Sequence, residues 1–431
     1  MVVSRSVSKL PLRKTVTCPH CWQQFSPHEI KWVSADPGLL GDPRLGSDSM
    51  RRFLPSRFTV DGNAIDVNGG VCIEVACPKC HLAIPRVLLE LPPLFVSVLG
   101  APSSGKSYYL ACVVWKLRQT LSEYFHLAFI DADPEANLVL SGYEETLFLN
   151  PQRDQPVALP KTEREGDLYQ SVRYGEEHQV WYPRPFVFAI QPQDSHPYHQ
   201  HASRLSRALC LYDNAGEHFM PGGEGRDSHA TRHLAHSEAL LFLFDPTQHP
   251  RFREACEDSS ADPQILEKKW SHPQHQVLAE AASRIRATAG LSHREKLDRP
   301  LVVVVTKHDA WCSLTGNRLI PTEAAIRPAG KIGNGLYKRQ IESISSQTRR
   351  VLNEISPEIV AAAESLSSQV IYIPVSAFGQ APGTPESGQG PLVIRPCDIK
   401  SHFVEVPLLW ALNQVVNGLI PSAVKKQYSE E

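Results

Sequence analysis

The feature that constrains this chain most is the stretch Leu94 to Ser107, LFVSVLGAPSSGKS. An apolar run stops at Gly100, and Gly105, Lys106 and Ser107 complete the pattern G-x-x-x-x-G-K-S. Behind it, YYLACVVWKLRQ has the composition of a helix. A strand feeding a glycine loop that opens a helix turns successive backbone N–H groups inward, and the helix N-terminus adds partial positive charge. Such a loop cradles phosphate oxygens. Gly100, Ala101, Pro102, Ser103, Ser104 and Gly105 supply backbone, Lys106 reaches the β and γ phosphates, and the Ser107 hydroxyl binds Mg²⁺. The spacing predicts a nucleotide-phosphate site.

At 431 residues the chain has room for two or three domains and a large core. Lys plus Arg number 44 against 46 Asp plus Glu, so composition gives no case for nucleic acid or an anionic membrane as partner. No apolar run approaches the ~20 residues of a spanning helix. Arg5, Lys9, Arg13 and Lys14 have no apolar stretch behind them, so no signal peptide is expected. The ten cysteines include two C-P-x-C knuckles, Cys18 with Cys21 and Cys77 with Cys80. Beside a nucleotide motif these favour metal ligation over disulfides and a cytoplasmic setting.

Two knuckles supply four thiolates in a tetrahedron around Zn²⁺. Cys21 and Cys77 lie 56 positions apart, a longer interval than ribbons usually have. Closing that loop costs roughly 3–4 kcal/mol, against about 10–16 kcal/mol from structural zinc. The reading is a zinc ribbon over residues 18–91 with a long insertion of short strands, acting as a lid or docking module rather than a nucleic-acid contact. His20 and His81 flank the knuckles without being ligands. Cys72 reads as a packed thiol, and Cys112, Cys210, Cys256, Cys312 and Cys397 are dispersed.

Taken in order, residues 1–17 form a mobile tail, and Pro92-Pro93 marks a boundary before a second domain over 92–420. There, 126–133 reads as a strand and 134–148 as a helix, followed by a long polar stretch with little periodicity. Segment 134–184 as a whole reads as an extended switch region, and it holds Thr162. After a strand at 185–190, RALCLYDNAGEHF ends a strand in Asp213, with Gly216 three residues on. The aspartate can hold Mg²⁺ through water, and the glycine N–H can bond the γ-phosphate and swing when it leaves. His229, His233 and His236 share one helix face and are expected to be solvent-exposed.

ALLFLFD (239–245) and LVVVVTKHD (301–309) are continuous apolar runs, as a mostly parallel sheet covered on both faces requires. The fold class is therefore α/β. Residues 250–299 read as a helical insertion, 369–379 as the last strand, 379–395 as a flexible loop, VEVPLLWALNQVVNGLI as a closing helix, and 421–431 as a tail.

Thr306-Lys307-His308-Asp309 is the most discriminating element. The Asp309 carboxylate offers two acceptors to guanine N1–H and the exocyclic amine. Against adenine it would be left buried and unpaired. The Lys307 stem can lie along the base, and Ser376-Ala377 can bring backbone N–H groups to the guanine carbonyl. The residues leave an alternative open: LLFLFD also fits a strand whose Asp245 holds the metal of an ATPase.

The ordered set GAPSSGKS, DNAG, TKHD, VSAF resembles the P-loop GTPases of the translation-factor and Ras-like class, over most of residues 94–420. The resemblance implies a three-layer P-loop sheet, bound GTP or GDP with Mg²⁺, a γ-phosphate switch at Asp213 and Gly216, and guanine reading by Thr306, Lys307 and Asp309. Thr162 lies in the order where a switch threonine would sit, without one sequence fixing which threonine that is, and Glu217 follows Gly216 at the place beside the attacking water. A threonine stands where asparagine is commoner. Glu217 stands where many members have glutamine or histidine, which implies slow hydrolysis unless an arginine assists, from a partner or from Arg164 or Arg173. With the knuckles and the closing helix, the chain is also similar to double-GTPase proteins of bacterial conflict systems. The expected activities are thus a GTP-hydrolysing switch, an ATPase, or a non-hydrolysing nucleotide-gated scaffold. A protein partner would dock through the switch loops or the ribbon.

Overall fold

The structure, a computed structural model, describes residues 12–160, 168–175, 178–213, 229–266, 273–329, 333–385 and 390–423. Nine of the strands described after the cysteine knuckles frame the site. They are β1 (Pro93–Gly100), β2 (Leu127–Asp131), β3 (Tyr169–Arg173), β4 (Gln179–Pro183), β5 (Phe186–Pro192), β6 (Arg207–Asp213), β7 (Ala239–Phe244), β8 (Leu297–Val305) and β9 (Ser367–Pro374). Seven of them make one sheet in the order β2-β5-β6-β1-β7-β8-β9. From β6 to β9 every pairing is parallel, while β2 and β5 are antiparallel additions. The chain is a mixed α/β protein with a mainly parallel sheet.

Each central strand buries both faces, and its side chains alternate between two cores. In β7, Ala239, Leu241 and Leu243 enter one core, while Leu240, Phe242 and Phe244 enter the other. In β8, Val302 and Val304 oppose Leu301, Val303 and Val305 in the same way. Fully burying such a side chain contributes about 1.5–3 kcal/mol, so a one-residue register slip would be costly. Helices α1 (Lys106–Phe125) and α5 (Val406–Val415) cover the first face, through Leu110, Val113, Leu117 and Leu121 and through Leu408, Leu409 and Leu412. Helices α2 (Gln274–Ala289) and α4 (Pro357–Leu366) cover half of the second, and α3 (Lys338–Ile355) spans both cores.

Among the described residues, the other half of the second face has no helix layer of that kind. There Val187 and Ala189 of β5 and Ala208, Cys210 and Tyr212 of β6 share a core with Cys18, Trp22, Cys77 and Cys80. Strand β1 is the divide: Phe95 faces the cysteine side and Leu99 the helical side. The core thus runs continuously across Pro92-Pro93.

Three expectations change. Val16 and Thr17, read as tail, pair with Gln24–Phe25, and Val16 is fully buried. The stretch read as irregular contains the hairpin β3–β4, whose Val172 and Tyr182 close over the cysteine core. Part of the 379–395 loop is ordered by pairing: Gly383 bridges Val393, and Ile394 bridges Val157. Within 250–299 the described helices are Pro250–Cys256, Pro263–Leu266 and Gln274–Ala289, the strand expected over 369–379 runs Ser367–Pro374, and the closing helix is limited to Val406–Val415. No described helix is long and apolar enough to cross a membrane.

Candidate functional site

Strand β1 ends at Gly100 because nothing larger fits. A Cβ there would lie 2.8 Å from the Leu243 carbonyl oxygen and 3.0 Å from Ser104 Oγ. The loop turns with Ser103 at φ 60° and Gly105 at φ 84°, and Gly105 caps a helix of 20 residues. Left-handed backbone at Gly105 carries no Cβ penalty. Lys106 is nearly buried, and its ammonium folds back onto the carbonyls of Gly100 (3.1 Å) and Ala101 (2.9 Å). The Ser104 hydroxyl is buried with no hydrogen-bond partner among the described residues. A helix N-terminus, a lysine and an orphaned hydroxyl converge at one turn, and that chemistry fits a phosphate chain.

The turn after β8 is held from both sides. Thr306 N–H donates to the Phe244 carbonyl, His308 N–H to that of Val375, and Trp311 Nε1 to that of Thr306. Lys307 sits in the left-handed region at φ 53°. Asp309 accepts a hydrogen bond from the Ser376 hydroxyl, which in turn accepts from Gly379 N–H. Burial pushes the Asp309 carboxyl up, and the Ser376 bond opposes that shift.

A single cavity of about 710 Å³ joins the two turns. Pro102 to Ser107 line one end and Thr306, Lys307, Asp309 and Ala377 the other. Gly100, Ala101 and Ser376 stand behind this lining. Asp213 ends β6 opposite Val98 of β1, buried and outside the lining. Gly216, Glu217, Thr162 and Arg164 lie outside the described residues. Arg173 is exposed on β3, with its N–H on the Arg44 carbonyl, away from the cavity.

Asp245 is engaged within the protein. Its Oδ1 accepts from Thr247 N–H and Oγ1, and its Oδ2 receives the Lys307 ammonium at 2.5 Å. The carboxylate is fully buried and absent from the cavity wall. The Lys307 ammonium is further held by Thr247 Oγ1 and Gln264 Oε1. A buried pair of this kind fixes geometry more than it adds stability. With Asp245 engaged by Lys307, the ATPase alternative is not favoured.

Sequence reasoning missed several wall residues. Tyr108 lies edge-on to Phe378, ring centroids 5.1 Å apart, and its hydroxyl accepts Leu159 N–H. Asp262 also lines the cavity. One of its oxygens accepts Gln264 N–H and the other has no partner among the described residues, while burial pushes its carboxyl up to about 6. The position of Tyr108 directly after the G-K-S triplet was the one local signal. Asp262 left none.

Cys18, Cys21, Cys77 and Cys80 place four sulfurs within 4.8 Å of one another. The Cys18–Cys80 and Cys21–Cys77 separations are both 3.7 Å. Four thiolates about 2.3 Å from one Zn²⁺ stand about 3.8 Å apart, so the set fits a tetrahedral dication. Backbone N–H groups of His20, Cys21 and Lys79 point at the knuckle sulfurs. His20 instead contacts the carbonyls of Pro183 and Ala83, and His81 contacts Asp42, so neither is a ligand. Cys72 packs beside Asp66. Of the three histidines expected in solvent, His233 is fully buried, bonded to Ser97 and stacked on Tyr212, because the cysteine module covers this side of the sheet.

No protein-family model matches the chain. Among curated proteins it is similar to the protein named Putative ESX-1 scaffolding and assembly protein SaeC, from Mycolicibacterium smegmatis, 23% identical over 275 residues. The match covers 56% of this chain and 60% of that protein, so the chain spans about three-fifths of its relative's length. Among solved structures, sup35 complexed with GDP aligns with TM-score 0.23 and 13% identity, over 70% of this chain and 43% of that one. The SRb-GTP/SRX complex of the signal recognition particle receptor from Chaetomium thermophilum aligns with TM-score 0.23 and 14% identity, over 67% and 95%. Likenesses this weak fix neither architecture nor ligand.

Proposed function

We propose that this chain is a guanine-nucleotide-binding switch of the three-layer P-loop class, which binds GTP with Mg²⁺ and hydrolyses it slowly to GDP and phosphate. The observation that carries the reading is the shared cavity: the phosphate loop and the Thr306–Asp309 turn line its two ends. Phosphates in the loop direct a purine toward Asp309, whose carboxylate matches the N1–H and amine edge of guanine. The Lys106 ammonium leaves the loop carbonyls for the β and γ phosphates, and backbone N–H groups of Ser103 to Ser107 stabilise charge growing on the transferred group. Ser107 and Asp213 would hold Mg²⁺, which neutralises the phosphates and polarises the γ-phosphorus. Thr162, Gly216 and Glu217 would form the switch around the attacking water, and a carboxylate at 217 repels the γ-phosphate enough to keep hydrolysis slow.

In the same reading the four cysteines hold Zn²⁺, the setting is cytoplasmic, and a protein partner rather than nucleic acid engages the switch loops or the cysteine module. The partial match to a protein named for scaffolding and assembly favours one companion reading, a scaffold whose docking is gated by nucleotide without useful turnover. Phosphate release under single-turnover conditions separates the two. The switch releases phosphate from GTP slowly and only with Mg²⁺, and Lys106→Ala lowers that rate by at least about 100-fold. A scaffold releases none above the Lys106→Ala background.

A further inference from the structure

The cysteine module meets the sheet at one place of consequence. Tyr212, the residue before Asp213, is fully buried and points its hydroxyl away from the nucleotide cavity into the first knuckle. That hydroxyl donates to the Pro19 carbonyl at 2.5 Å and accepts from Trp22 Nε1 at 3.2 Å. Pro19 lies between Cys18 and Cys21, and Trp22 follows directly. The Tyr212 ring stacks on His233 at 4.7 Å, and Trp22 stacks on His236 at 5.2 Å with planes 5° apart. His229 meets Tyr182 edge-on. Tyr212 and His236 therefore reach the same knuckle, with His233 stacked on Tyr212 between them, although 212 and 233–236 lie on opposite sides of Gly216 in the sequence.

We infer that Tyr212 is a positioning residue which couples the cysteine cluster to the Mg²⁺ ligand Asp213, so that occupancy of the cluster and binding of Mg²⁺-nucleotide strengthen each other. The inference rests on the proposed nucleotide site. Its physical basis is the end of β6: pairing with β5 stops at Leu211, and Tyr212 and Asp213 are consecutive and point to opposite faces, so the side chain held by the knuckle and the one aimed at Mg²⁺ share one peptide of a strand end paired only with β1. Groups that orient a metal-holding carboxylate from behind typically change metal affinity by about 10- to 100-fold when they are removed, so the loss of one such hydrogen bond is readable in the Mg²⁺-dependent part of nucleotide binding. Coupling between two sites is reciprocal, so each must report on the other.

Two variants test this: Tyr212→Phe, which keeps the ring and drops the hydroxyl, and Trp22→Phe, which drops the indole donor. A non-hydrolysable GTP analogue is titrated with Mg²⁺ and with EDTA-washed, Mg²⁺-free buffer, and Zn²⁺ affinity is measured against a competing chelator with and without the analogue. The expected result is that the gain in nucleotide affinity on adding Mg²⁺ shrinks about tenfold in both variants, while Mg²⁺-free affinity stays within about twofold. In wild type, analogue plus Mg²⁺ tightens Zn²⁺ binding by about tenfold, and Tyr212→Phe abolishes that change. Equal losses with and without Mg²⁺, or an unchanged Mg²⁺ gain, would reduce Tyr212 to a packing role and overturn the inference. Failure of wild type to bind any guanine nucleotide would overturn the site itself instead.

Discussion

Asp309→Asn is expected to exchange guanine for xanthine nucleotide, shifting the ratio of the two affinities by roughly 1,000-fold. Guanine presents two donors to the residue at 309, the N1–H and an amine hydrogen, and a carboxylate accepts both. Xanthine keeps the N1–H but has a carbonyl oxygen in place of the amine, and an asparagine amide meets that pair with one acceptor and one donor. Each mismatch in a desolvated site costs about 1–3 kcal/mol. One is removed and one created, so the ratio moves by about 4 kcal/mol. The Ser376 hydroxyl can still donate to the remaining carbonyl oxygen of the variant, so the turn after β8 should keep its shape. Competition between GDP and xanthosine diphosphate measures the ratio in both proteins. An unaltered ratio would mean that the base does not reach Asp309.

Removing the metal from the four cysteines should cost the whole fold, not only the N-terminal module. The cysteine sulfurs belong to the core that covers β5 and β6. Burial pushes the Cys18 thiol well up, so keeping it ionised requires a cation. Structural zinc contributes about 10–16 kcal/mol in small isolated modules. Even about half of that, spread over a chain of this size, lowers the melting temperature by roughly 10 °C. Purified protein should carry one zinc per chain by elemental analysis. Cys18→Ser and Cys80→Ser should each lose the metal and melt roughly 10 °C earlier, whereas Cys72→Ser, outside the cluster, should keep zinc and shift by no more than about 3 °C. Metal-free protein with an unchanged melting curve would refute a structural zinc.

What the letters disclosed was whatever local spacing determines. The strand, glycine loop and helix from Leu94 onward are one contiguous unit, and β7 and β8 declare themselves by unbroken apolar runs. The Thr306–Asp309 turn stands out by its acceptor chemistry, and it lines the same cavity as the glycine loop. What stayed hidden depends on partners distant in the chain. Asp245 after LLFLF reads the same whether it binds a metal or caps a turn, and only the approach of Lys307 from 62 residues away decides. The spacing of His229, His233 and His236 gave a shared helix face but not what covers it, which is Tyr212 and the knuckle. The bridge between Val157 and Ile394 joins segments too far apart for any periodicity to reveal. The hairpin β3–β4 shows no alternation in YQSVR or QVWYP, and only Gly175 between the two runs hints at a turn.

The central claim is that the ligand of this cavity is a guanine nucleotide, selected by Asp309. Competitive displacement of a fluorescent GDP by unlabelled GTP and ATP, with Mg²⁺ present, tests it most directly. The account predicts that GTP displaces the probe at a concentration at least about 100-fold lower than ATP does. Displacement by ATP at an equal or lower concentration would contradict it.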